Sequence, residues 1–182
     1  VGGLPAYIAY ISPGLINVLA PNVGTGNVSV TVTNSSGVSS PVTAVVQAFQ
    51  PAFFQWGSYA VATRADYSLA VKNGTFPGAT TVPAKPGDTI ILWGTGFGPT
   101  TPATPVGVAV PSGTTYNTAN QVTVTVGGAT ATVWGAALAP GSAGLYQVAI
   151  AIPTSLANGD YPVVATVGGA QSPSSTLITV QQ

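Results

Sequence analysis

Few residues in this chain can do chemistry. The 182 residues include three basic side chains, Arg64, Lys72 and Lys85, and three acidic ones, Asp66, Asp88 and Asp160. His, Cys, Met and Glu are absent. A Ser-His-Asp or Cys-His nucleophilic site cannot be assembled from such a set. Zinc needs thiolate or imidazole ligands, which the chain lacks. A paired-carboxylate site needs two acids at close range, and the three Asp are expected in separate turns. Asp160 with Asn158 is the nearest approach to a calcium loop, which requires several oxygen ligands. A Ser–Lys dyad through Lys72 or Lys85 is the one nucleophilic pairing the composition permits. The expectation is a protein that is not an enzyme, with no cofactor and no metal.

Two other patterns invite a functional reading. Gly94-Thr95-Gly96-Phe97-Gly98 has the look of a phosphate-binding loop, but it lacks the following helix, the Lys and the final spacing. A bulge or tight turn needing positive φ explains it better. Trp56, Trp93 and Trp134 could stack on sugars. Trp93 sits in an apolar strand and is expected in the core, with Trp134 near the end of its own strand. Phe53, Phe54, Trp56 and Tyr59 cluster in the least regular region and are expected to form an aromatic contact surface, with Trp56 the candidate for a glycan; alternatively Phe49, Phe53, Phe54 and Trp56 form a seam with a neighbouring domain or subunit.

The elements that must carry these residues read as strands. Asn27–Thr33 and Gln121–Val126 alternate apolar and polar residues with period 2. Thr89–Trp93, Tyr146–Ile152 and Thr176–Val180 read as further strands. All are short, rich in β-branched residues and closed by Gly, Pro or Asn. No segment has helical periodicity. Gly (23) and Pro (16) punctuate the chain throughout. An all-β sandwich follows.

The composition excludes more. Charged residues are 3% and hydrophobic ones 46%, the reverse of a disordered chain. No apolar run approaches the roughly 20 residues of a membrane-spanning helix. Scattered, balanced charges disfavour nucleic acid, which is bound through clustered Lys and Arg. Near-zero net charge favours association, because charge repulsion normally keeps proteins apart. A chain opening at Val1 without Met or a leader is expected to be a processed product or a fragment. Low charge and abundant Thr, Ser, Asn and Gly favour an extracellular or cell-surface location. The sequons at Asn27, Asn34 and Asn73 arise readily by chance in such a chain.

An internal repeat organises the sequence. Val1-Gly2-Gly3 matches Val126-Gly127-Gly128, and Ile16–Pro21 matches Val148–Pro153. Val28–Thr33 matches Val163–Val167, and Ser39-Ser40-Pro41 matches Ser172-Pro173-Ser174. Residues 1–50 and 126–182 are therefore two copies of one unit. The second copy is preceded by Pro86–Gly98, whereas the first has nothing before it.

Several of these residues carry a family resemblance: Pro86-Gly87-Asp88, Gly94-x-Gly96-Phe97-Gly98, and Val126-Gly127-Gly128 with Ala131 and Val133. The set resembles the IPT/TIG class of immunoglobulin-like domain. Adding Tyr10–Pro13, Ile16–Val18, Gly144–Val148 and Val167–Gly169, nearly the whole chain resembles an uncharacterised C-terminal domain family abundant in Acidobacteria such as Solibacter. The resemblance implies a secreted or surface-attached module without catalytic residues.

The expectation is thus two immunoglobulin-like β-sandwich units in tandem, over 1–82 and 83–182, the first lacking its opening strands. Such a sandwich exposes unpaired backbone and apolar surface. The missing strands could belong to a longer protein. Strands expected at Phe53–Trp56, Tyr59–Thr63 and Ser68–Val71 could fill the gap, or another subunit could complete it. The functional expectation is a structural protein that associates with copies of itself, a filament subunit joined head to tail by strand complementation. Leu4, Tyr7, Ile8, Tyr10, Ile11, Leu177 and Val180 are the expected contacts. The alternative is a monomeric adhesive or carbohydrate-binding module with a glycan as partner.

Overall fold

A computed structural model describes residues 1–78 and 80–182. Among them every regular element is a strand, as the period-2 alternation requires. The principal strands are β1 (Tyr7–Ser12), β2 (Leu15–Leu19), β3 (Gly26–Val30), β4 (Val42–Val46), β5 (Thr89–Thr95), β6 (Val122–Val126), β7 (Ala129–Leu138), β8 (Tyr146–Ala151), β9 (Gly159–Val167) and β10 (Leu177–Val180). Among the described residues no helix is long and apolar enough to cross a membrane.

From Ala52 onward the strands form one 13-stranded sheet, with β5, β8, β7, β6, β9 and β10 neighbouring one another in that order. Two long strands bend it round. In β7, Ala129–Ala131 pair with β6 and Thr132–Leu138 with β8. The register slips between Val133 and Gly135, leaving Trp134 as the extra residue of a bulge; bulges bend and twist a strand. In β9, Val163–Val167 pair with β6 and Gly159–Pro162 with β10. Ile90, Leu92, Val124, Val126, Val148, Ile150, Val163 and Val180 meet inside, all without solvent exposure.

The segment after Pro51 joins this body. Ala52–Phe53 and Ala62–Thr63 pair with β5, and Tyr59 pairs with Leu177 of β10. It therefore does not fill residues 1–50. Of its expected strands, Ser68–Val71 is reduced to a single bridge from Leu69 to Thr63.

Residues 1–50 are different. They form three separate two-stranded sheets: β1 with β2, β3 with β4, and Thr33–Asn34 with Gly37–Val38. No residue between 1 and 50 is buried.

Even so, their hydrogen bonding repeats that of 126–180. Gly26 pairs with Val46 as Gly159 pairs with Val180. The register of β1 on β2 slips between Ile8 and Tyr10, at the place matching the Trp134 bulge. Val32 N donates to Ser39 Oγ at 3.0 Å, and Ala165 N donates to Ser172 Oγ at 2.9 Å. Gly2 N donates to Ser29 O at 2.7 Å, and Gly127 N to Pro162 O at 2.8 Å. The second copy has β5 beside β8 and β6 between β7 and β9. The first copy has neither counterpart. Matching positions consequently differ in burial: Ile150 is fully buried and its counterpart Val18 is 44% exposed.

Candidate functional site

Two places could carry function, the open first copy and an aromatic cleft on the main body. The chemistry-bearing side chains account for little else. Arg64 Nη2 pairs with Asp88 Oδ2 at 3.3 Å and also donates to Pro83 O at 2.9 Å. Asp88 Oδ2 accepts from Lys85 N at 3.0 Å. Asp66 Oδ1 accepts from Ser68 N at 3.0 Å, and hydrogen bonding from Ser68, its side chain first and then its backbone, holds the carboxyl below the usual range. These are turn-fixing contacts. Asn158 Oδ1 accepts from Gln182 N rather than facing Asp160. Among the described residues no three metal-ligating side chains gather.

The glycine run is a seat for the connecting chain. Gly96 and Gly98 both have positive φ, +78° and +86°, which L side chains avoid. A Cβ on Gly96 would overlap the Gln50 carbonyl, and one on Gly98 would overlap the Phe49 ring. Gln50 N donates to Gly96 O at 2.9 Å. The Phe49 ring also lies over Gly168, so one aromatic side chain clamps the first copy to the body. The ring of Phe97 packs in the core, 5.8 Å from Phe53 and 5.5 Å from Tyr146.

The cleft holds about 720 Å³ and is lined by Gln55–Tyr59 and Lys72–Phe76. Trp56 meets Phe76 edge to face at 5.0 Å. Lys72 Nζ donates to Asp160 Oδ2 at 3.1 Å and to Tyr59 Oη at 3.2 Å. Tyr59 Oη donates to Asp160 Oδ2 at 2.9 Å, and Thr179 Oγ1 to Asp160 Oδ1 at 2.6 Å. The Thr179 hydroxyl, with Lys72 and Tyr59, holds the Asp160 carboxyl below its ordinary range. Tyr59 and Asp160 in turn raise Lys72. Of the four aromatics expected to share a surface, Trp56 and Tyr59 lie here. Phe54 is exposed outside this lining, and Phe53 is a core residue at 5% exposure. The sequence did not point to Phe76, and it singled out Lys72 and Asp160 separately, for other chemistry, without joining them as a pair. The most exposed Trp is Trp134, at 66%, because the bulge turns it outward. Trp93 donates its Nε1 to Thr63 Oγ1 at 2.9 Å.

The expected self-association residues divide. Leu4, Ile8, Tyr10 and Ile11 are all exposed, and Tyr7 is partly so. Leu177 and Val180 are corrected: β10 pairs with β9 on one side, while Tyr59 and Ala84 bridge to Leu177 and Val180 on the other. Val180 has no exposure. A strand with neighbours on both sides is not the open edge that strand addition uses. Val32, Val38, Val42 and Val45 extend the open apolar surface of the first copy, and the sequence reading omitted them. Their alternation was visible, but not the absence of a covering layer.

No family model matches the chain, and no curated protein or solved structure matches it.

Proposed function

We propose that the protein is a non-enzymatic extracellular structural protein that associates with copies of itself through residues 1–50. In this reading it consists of two immunoglobulin-like units in tandem, the first incomplete, and its subunits join by completing that unit. One observation carries the reading: residues 1–50 have no buried side chain and no charged one. Exposed sheet edges are normally protected by charges, prolines or a covering element. Here Val42 and Val45, each 67% exposed, stand on an unprotected strand. Large exposed apolar patches mark interaction sites. A filament joined head to tail remains the proposed geometry, with the donor strand now sought outside β10.

Replacing Val42 and Val45 by Lys tests the proposal, because both side chains already face solvent. The doubly substituted chain should keep its fold and sediment as a monomer where the unsubstituted chain forms larger species. Equal sedimentation of the two would count against the proposal.

The cleft supports a second reading, an adhesive module that binds glycan. Trp56 and Tyr59 line it, with Gln55, Lys72 and Asn73 as polar residues beside them. Trp56→Ala should then abolish binding on a glycan array. A chain that retains no glycan before substitution would sink this reading.

A further inference from the structure

We propose that Asn73 is a site of self-modification: the Gly74 amide nitrogen attacks the Asn73 side chain, and the asparagine becomes aspartate or isoaspartate on the lip of the aromatic cleft. This holds whether or not the cleft takes a glycan. The only co-reactant is water. A bond forms from Gly74 N to Asn73 Cγ, and the bond from Cγ to Nδ2 breaks. Nδ2 leaves as ammonia, carrying the Gly74 amide proton, and a cyclic imide remains. Water opens that ring at either carbonyl, giving a carboxyl group on a normal or a shifted backbone.

Glycine follows asparagine twice in the chain, at Asn73-Gly74 and at Asn158-Gly159. Asparagine is a labile side chain, and a following glycine has no Cβ to obstruct the attack. By sequence the two places are alike, and both asparagines are exposed. Hydrogen bonding sets them apart. Thr75 N donates to Lys72 O at 3.2 Å. Gly74 has φ +79°, whereas Asn73 has no positive φ. Residues 72–75 thus form a type II turn with Asn73 and Gly74 at its corners. Among the described residues neither Gly74 N nor the Asn73 side chain has a hydrogen-bond partner. A Cβ built on Gly74 meets nothing within 4 Å, so the attacking amide has room to turn.

Asn158 is held. Its Oδ1 accepts from Gln182 N at 2.7 Å. Gly159 begins β9 opposite Val180. Val163 N donates to Thr176 O at 2.9 Å, and alternation along the antiparallel ladder makes Gly159 and Val180 a hydrogen-bonded pair too. Attack by Gly159 N would first have to open the end of that strand.

The product changes the cleft. Asn73 and Lys72 both line it, and Lys72 is balanced by Asp160 at 3.1 Å. A carboxylate at position 73 leaves one negative charge in excess. The chain has only three positive and three negative side chains, so the same event lowers its isoelectric point measurably.

The test ages the full folded chain in mildly alkaline buffer, beside a sample in urea. Chymotrypsin cuts at aromatic residues and puts Asn73 and Asn158 on separate peptides. Mass spectrometry then reads the exchange of NH2 for OH, against an unaged sample digested in parallel. Conversion at Asn73 should be at least about tenfold faster than at Asn158 in the folded chain, and the two rates should converge in urea. Equal rates in the folded chain, or an Asn73 that stays intact there, overturn the proposal. Asn73→Gln gives a second reading by isoelectric focusing. The unsubstituted chain should gain a more acidic band on ageing and the substituted chain should not; an acidic band of equal strength in both overturns the proposal.

Discussion

Val30 and Val163 occupy matching places in the two copies, so one substitution can be compared in an open and a closed setting. Val163 has no solvent exposure. Val163→Ala removes two methyl groups, about 1.6 kcal/mol of transfer free energy, and leaves a cavity that brings the cost to roughly 2–3 kcal/mol. For a chain of this size that corresponds to a Tm lower by about 5–10 °C. Val30 is only partly buried, and it borders the unfilled place beside β3. Solvent already reaches it, so Val30→Ala leaves no closed cavity and costs less than about 1 kcal/mol. Calorimetry reads the whole chain. Tryptophan fluorescence, excited selectively, reads the main body alone, because Trp56, Trp93 and Trp134 all lie beyond residue 50. Equal penalties at the two positions would refute the reasoning, since they would mean that the first copy has a closed core of its own.

Three further outcomes follow from the same geometry. Gly96→Ala drives a Cβ into the Gln50 carbonyl at a positive φ and should destabilise by more than about 3 kcal/mol, read by urea unfolding; a shift below that would mean the crossing of 48–53 over the glycines is loose. Stability should be nearly flat between about pH 4 and 10, by melting across pH, because the perturbed groups titrate outside that window. Asp160 is lowered from 3.8, so its contribution is present above 3.8 and is lost as the pH falls through its folded value. Lys72 is raised from 10.5, so its contribution is complete below 10.5 and is lost as the pH rises through its folded value. Native-state hydrogen exchange should be fast across β1–β4 and slow across β5–β10, since few buried contacts hold the former; equal protection would contradict the open first copy.

Much of the fold was legible because it rests on local signals. Val–Thr alternation marked β3 and β6, and the repeated Val-Gly-Gly and Ser/Pro turns aligned the copies. That alignment extends to the Ser39 and Ser172 hydroxyl contacts. The route of 51–78 was not legible, because its two-residue strands have no period and are fixed by distant partners such as β5 and Leu177. The cleft depends on Lys72 meeting Asp160 across 88 residues, which no spacing rule detects. Trp134 read as a strand residue near the core, but one extra residue in β7 reverses its direction. Val180 alternates like an edge strand. Only the parallel bridge from Ala84 seals its second side.

The most direct test of the central claim is the native mass of the unsubstituted chain by light scattering, over a range of concentration and at low and high salt. The account predicts species well above 17.9 kDa that grow with concentration and persist in high salt, because residues 1–50 have no charged side chains to screen. A mass of one chain at every concentration would contradict it.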